Sequence, residues 1–281
     1  MTGGDPFAHK DIMEILKKMV DLGLHFNVST KKIFNDAEFD QLCNIGIEHI
    51  QFSLDSESNS TNKRLLCIDN YGTNMLSQIE KSVQKGMNPT VNIVATAINI
   101  DEIPQLVNTL SRIGVKKVYI SPYLKSLGRH SDDFFPSLDQ YKHLEEFIKN
   151  THDISIDYIF PKKNNYHHSV DSMNYCTAGR AGMVVYPDGT YGICERIINP
   201  DLIKLNVNDN SILSFWYSED LKSIIEPDRK KYAGTKCEKC DKFQQCAIEK
   251  GICLARSKMH SKSYFSEDPL CERNDYLGRY I

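Results

Sequence analysis

Cys237-Glu238-Lys239-Cys240-Asp241-Lys242-Phe243-Gln244-Gln245-Cys246 brings three thiols into one short stretch, where their sulfurs can converge on a metal centre without long backbone excursions. Cys253 and Cys271 follow, and Cys176 and Cys194 precede. Seven of the nine cysteines in the 281-residue chain therefore lie beyond residue 175. Four thiolates close one site, so seven suggest two.

With 41% of its residues hydrophobic, the chain has material for a full core and room for a second, smaller domain. A net charge of −3, with Lys and Arg dispersed, creates no positive field for nucleic acid or for an anionic membrane surface. No run approaches the ~20 apolar residues of a membrane span, and the N-terminus has no charged start followed by an apolar run. These features predict a cytoplasmic protein. In that compartment clustered cysteines are more often metal-binding or catalytic than disulfide-bonded, and an odd total of nine argues against complete pairing.

Upstream of the cysteine block, helix-like and strand-like patterns alternate from residue 11 to 159, which predicts βα units around a parallel sheet. Ile12, Ile15, Leu16 and Met19 fall at helical spacing, as do Ile103, Leu106, Val107 and Leu110, while Met75, Ile79 and Val83 step by four. Short runs at 25–29, 49–54, 90–97 and 117–120 suit buried strands, with a last helix over 137–151 and a last strand near 154–159. The polar stretch 161–173 predicts a linker, giving one domain over 1–160 and another over 174–281. In the latter, Tyr186-Pro187-Asp188-Gly189 is a tight-turn sequence, so Cys176 and Cys194 flank an expected β-hairpin. One helix over 214–225 carries Trp216. Beyond Pro227 the chain is polar and poor in pattern, so bound metal is expected to supply its stability.

Three features coincide: Thr2-Gly3-Gly4-Asp5-Pro6 before an amphipathic helix, Ser53-Leu54-Asp55 ending a strand, and the block with Gly189-X4-Cys194 and Cys237-X2-Cys240-X5-Cys246. Together they resemble radical S-adenosylmethionine enzymes with a SPASM domain, over nearly the whole chain. The resemblance implies an α/β fold: a partial (β/α) barrel followed by a small cysteine-rich domain. It implies S-adenosylmethionine and two auxiliary [4Fe–4S] clusters as cofactors, and an electron donor such as a flavodoxin or ferredoxin. The implied activity is modification of a peptide or protein by a 5′-deoxyadenosyl radical, with ribosomal peptide maturation first and anaerobic sulfatase maturation second. On the same resemblance, Cys237, Cys240, Cys246 and Cys271 correspond to ligands of an outer cluster. Cys176, Cys194 and Cys253 correspond to ligands of an inner one, leaving one iron open to a substrate thiolate, water or a side chain. Gly3, Gly4 and Asp5, where the family reads Gly-Gly-Glu, correspond to cofactor contacts together with Ser53, Arg64 and Leu124.

Plainer readings stand beside these. Two zinc sites would need a similar number of thiolates, and Cys-X2-Cys is common in zinc ribbons, so a non-catalytic iron–sulfur or zinc scaffold that binds a peptide is the alternative from another class. Asp55 reads equally as a helix cap or a loop hydrogen-bonder. Glu195 reads as a base beside a cluster or as a solvated carboxylate, Cys43 as a small buried hydrophobe beside Phe39 and Leu42, and His167-His168 as surface residues. The sequence contains no Cys-X3-Cys-X2-Cys, the loop whose cluster reduces S-adenosylmethionine in the resembled family. The expectation is therefore a chain without its first strands, inactive alone, with an open sheet edge and poor solubility.

Overall fold

The computed structural model describes residues 4–123, 131–158, 176–197, 202–268 and 271; Gly3, Leu124 and His167-His168 lie outside them. The described residues gather into two compact units, one up to residue 158 and one from 176 onward.

In the first unit five strands, β1 (Val28–Thr30), β2 (Ile50–Ser53), β3 (Thr90–Ala95), β4 (Lys117–Pro122) and β5 (Ser155–Tyr158), pair in parallel and in chain order. Val28 stands opposite Ile50, Phe52 opposite Val91 and Ile93 opposite Ile120. Strand order that never reverses is the order of a barrel and not of a doubly wound sheet. Six helices accompany the strands: α1 (Ile12–Asp21), α2 (Asp36–Ile45), α3 (Asn59–Leu66), α4 (Tyr71–Gln84), α5 (Ile103–Ile113) and α6 (Leu138–Lys149). Asn35 with Glu38 and Ser137 with Gln140 form capping boxes that start α2 and α6. Leu16, Leu42, Met75, Ile79, Leu106 and Leu110 are fully enclosed.

The strands differ from the continuously buried runs that the sequence suggests. In β3, Val91, Ile93 and Ala95 are buried while Thr90, Asn92 and Val94 are half-buried, and β4 alternates in the same way. One face of the sheet is thus sealed by apolar packing. The other keeps polar groups, with Ser121 Oγ donating to Asn92 Oδ1 at 3.4 Å, a surface suited to a polar ligand.

The second unit contains the expected hairpin: β6 (Val184–Val185) and β7 (Tyr191–Gly192) pair antiparallel, and Gly189 in the turn has φ of +83°. The single helix expected over 214–225 is instead two, α7 (Ile212–Trp216) and α8 (Glu219–Ile225). The break has a local cause, since Ser218 Oγ accepts from Leu221 N at 3.1 Å and starts α8 as its N-cap. Beyond Pro227 the chain is more regular than expected, with a π-helix over Gln244–Lys250 and α9 (Leu254–Ser261). Apolar mass is also present. A core containing Tyr191, Ile193, Ile197, Phe215, Leu221 and Leu254 packs against Cys194 and Cys253, and a smaller one of Tyr232, Phe243 and Ala247 packs against Cys237. Side-chain burial therefore contributes to this unit alongside any bound metal. No described helix is long and apolar enough to cross a membrane.

Candidate cluster and cofactor sites

Parallel sheets carry ligand sites beyond the C-terminal ends of their strands, and in the first unit the polar residues of those ends interlock. Asp5 accepts hydrogen bonds from Phe7 N at 3.0 Å, from Thr30 Oγ1 at 2.9 Å and from Lys31 N at 2.7 Å. Its carboxylate thereby fastens the Gly4-Asp5 turn to the end of β1. The position of a Gly4 Cβ has no atom within 4 Å, so this backbone is open to close approach. Asp55, buried just past β2, accepts from Val94 N at 2.8 Å and faces Lys31 Nζ at 3.4 Å. Of the two plainer readings of Asp55, loop hydrogen-bonder is the one observed. Tyr71 donates to the carbonyl of Ser53 at 2.7 Å, and its phenol lies well above the usual range because it is buried, with the charges of Asp55 and Asp5 acting in the same direction. Lys31, Tyr71 and Asn99, whose amide donates to the Asp55 carbonyl at 2.6 Å, belong to this network without any signal in the sequence. Arg64 lies exposed on α3.

In the second unit, Cys176, Cys194 and Cys253 line one small open cavity whose wall also contains Arg180, Ile193, Ile197, Ile224 and Leu254. The hairpin places Cys194: Tyr186 Oη donates to the Cys194 carbonyl at 2.8 Å and also to that of Ile197. Cys176 N donates to Lys250 O at 2.8 Å, and Cys253 stands at the N-cap of α9. Burial pushes the Cys194 thiol up to about 11, with Glu195, Cys253 and Cys176 adding to the effect. Burial raises Cys253 as well, and Cys176 acts in the same direction.

The other four cysteines form a second neighbourhood. Burial pushes Cys237 up to about 12, and Cys271, Glu267, Cys240 and Cys246 push the same way. Cys246, on the π-helix, is raised by burial and then by Cys271 and Cys240. Arg256, in the first turn of α9, grips Asp268 with Nε at 2.9 Å and Nη2 at 2.5 Å, and the Asp268 carbonyl accepts from Cys271 N at 2.8 Å. A thiol that burial keeps neutral ionises only against compensating positive charge, which is what a soft metal centre supplies. Among the described residues, no three His, Cys, Asp or Glu side chains converge as the ligands of a single metal ion. Glu195 is exposed, with its carboxylate 3.7 Å from Cys194 Sγ. Cys43 is half-buried on α2 where a buried site was expected, and Cys67 is exposed at the end of α3.

The family that matches is the SPASM iron–sulfur cluster-binding domain, over residues 176–241. With the chain-ordered parallel βα unit before it, the fold resembles that of enzymes solved with bound S-adenosylmethionine. Particular proteins bear this out. The crystal structure of Streptococcus suis SuiB bound to S-adenosylmethionine superposes with a TM-score of 0.76 at 18% identity, covering 96% of this chain and 65% of SuiB. The chain thus spans just under two thirds of SuiB. Native anSMEcpe with bound AdoMet and the Kp18Cys peptide gives a TM-score of 0.66 at 15% identity, covering 100% of this chain and 81% of that one. The PqqA peptide cyclase of Methylobacterium sp. (strain 4-46) is 25% identical over 287 residues, 96% of this chain and 72% of that protein.

Proposed function

We propose that the chain works in radical-based modification of a peptide, most closely in the manner of ribosomal peptide maturation, with S-adenosylmethionine at the strand ends of the first unit and two auxiliary [4Fe–4S] clusters in the second. The observation that carries this reading is the sorting of seven cysteines into two neighbourhoods, each against its own apolar core. In this reading Cys176, Cys194 and Cys253 hold the inner cluster and Cys237, Cys240, Cys246 and Cys271 the outer. Gly3, Gly4, Asp5, Ser53, Arg64 and Leu124 surround S-adenosylmethionine, and residues 161–173 link domains over 1–160 and 174–281. When bound, S-adenosylmethionine would supply a hydrogen-abstracting radical only on receiving an electron from a reduced cluster on a Cys-X3-Cys-X2-Cys loop, which the sequence does not contain, so the chain alone is inactive in this reading; the auxiliary clusters would supply electron transfer or substrate anchoring. The chain's own part is positional. Asp5 fixes the glycine turn so that its backbone can meet a polar ligand, and Asp55 holds the ends of β2 and β3 together beside it. The peptide-modifying relatives favour a peptide partner, the modest, dispersed charge favours a cytoplasmic protein, and a flavodoxin or ferredoxin as electron donor follows from the family resemblance alone.

Equilibrium dialysis after anaerobic reconstitution tests the reading. Wild-type protein should retain S-adenosylmethionine, and Gly4→Val, whose Cβ meets no described atom within 4 Å beyond its chain neighbours, should weaken that retention at least about tenfold with an unchanged melt, since a lost polar contact of about 1.4 kcal/mol amounts to that factor. A cluster-loaded protein that retains neither S-adenosylmethionine nor any precursor peptide would favour the scaffold alternative.

A further inference from the structure

Arg180 brings a formal positive charge into the wall of the cavity lined by Cys176, Cys194 and Cys253. Its Nη2 donates to Ile225 O at 2.7 Å, at the end of α8, and to Ala247 O at 3.3 Å, in the π-helix one residue after Cys246. A Cβ on Gly251 would stand 3.2 Å from Arg180 Nε and 3.2 Å from Cys176 Cβ, so guanidinium and cysteine flank the same glycine, whose φ is +80°. Only a residue without a side chain leaves them this close. Burial works against the charge, and the nearby Cys176 and Glu226 favour it. Two carbonyl oxygens accept from Nη2 but do not neutralise the charge of the guanidinium. Anionic ligands and an anionic cluster in the cavity would. Reduction adds one electron to such a cluster, and a fixed cation in a poorly hydrated wall favours the reduced form.

We propose that Arg180 is a positioning residue that raises the reduction potential of the cluster held by Cys176, Cys194 and Cys253, clamping that site to the Cys246-bearing segment through the Ala247 carbonyl. The proposal rests on the reading of those three cysteines as iron–sulfur ligands.

Redox titration of the reconstituted full chain, followed by electron paramagnetic resonance with iron and sulfide quantified in each sample, tests it. Arg180→Gln keeps hydrogen-bond donors and removes the charge, Arg180→Lys keeps the charge, and Glu226→Gln removes the opposing carboxylate without touching the clamp. The midpoint of one cluster should move to more negative potential in Arg180→Gln, stay at the wild-type value in Arg180→Lys and move the opposite way in Glu226→Gln. An unmoved midpoint in a loaded Arg180→Gln protein overturns the proposal, as do equal shifts in both arginine variants, which would reveal a clamp without an electrostatic role. If Arg180→Gln fails to load, Glu226→Gln decides, and an unmoved midpoint there is equally fatal. A wild-type chain that never binds iron and sulfide sinks the cluster reading and this proposal together, whereas loaded protein with unmoved potentials sinks the role of Arg180 alone.

Discussion

Cys194 and Cys237 are half-buried thiols whose ionisation is opposed first by burial and then by neighbouring sulfurs. In the proposed reading such sites hold a metal centre, and their partition makes a specific prediction. Cys194→Ala should abolish the cluster of its own set and leave the other, and Cys246→Ala should do the reverse, each removing about half of roughly eight irons per chain. Loss of all iron in both variants would show a single coupled site. Tyr71 offers a test independent of metal. Its phenol is raised by burial, so the folded chain keeps a proton that the unfolded chain releases above about pH 10. Its stabilisation is complete below that pH and is lost as the pH rises beyond it, and Tyr71→Phe should flatten that alkaline decline in urea titrations. At this scale the cysteines were legible because soft-metal chemistry admits few substitutes for a thiolate. Tyr71, Asn99 and Arg180 were not, since each acts through long-range hydrogen bonds that no local spacing announces.

Among elements, α1 and α5 stood out because their apolar residues repeat at helical spacing, which buries Ile12 and Leu16 of α1 and Ile103, Leu106, Val107 and Leu110 of α5. Helix α3 did not, because it is polar: Ser58 caps it, Thr61 Oγ1 donates to Glu102 at 2.7 Å, and Asn62 Nδ2 donates to Ser56 O at 2.6 Å. Tertiary hydrogen bonds stand in for an apolar stripe there. The connection between β1 and α2 depends in the same way on the buried Gln78, which accepts from Phe34 N at 2.7 Å and donates to Lys32 O at 3.0 Å. Gln78→Leu orphans both groups and should cost about 2 to 4 kcal/mol of unfolding free energy, read from urea denaturation. In the hairpin, a Cβ on Gly192 would lie within 2.7 Å of the Tyr186 ring and hydroxyl. Gly192→Ala should therefore displace Tyr186 from the Cys194 carbonyl and lower the iron content of the inner set, while the outer set loads normally.

For the molecule as a whole, the alternation of βα pattern and its abrupt replacement by a cysteine-punctuated region made the two units legible, because helical and strand periodicities are local properties of the chain. The cores beneath the cysteines were less legible, since Tyr232, Phe243 and Ala247 are scattered among polar residues and meet only when the chain folds back. The same folding gathers the thiols into two compact sets in one unit, which in the proposed reading hold iron and inorganic sulfide. The most direct test of that reading is quantification of iron and acid-labile sulfide in anaerobically purified protein, with the visible spectrum recorded on the same sample. Two loaded [4Fe–4S] sites should give a brown protein with about eight irons and about eight sulfides per chain. Colourless protein carrying zinc and no sulfide would contradict the reading.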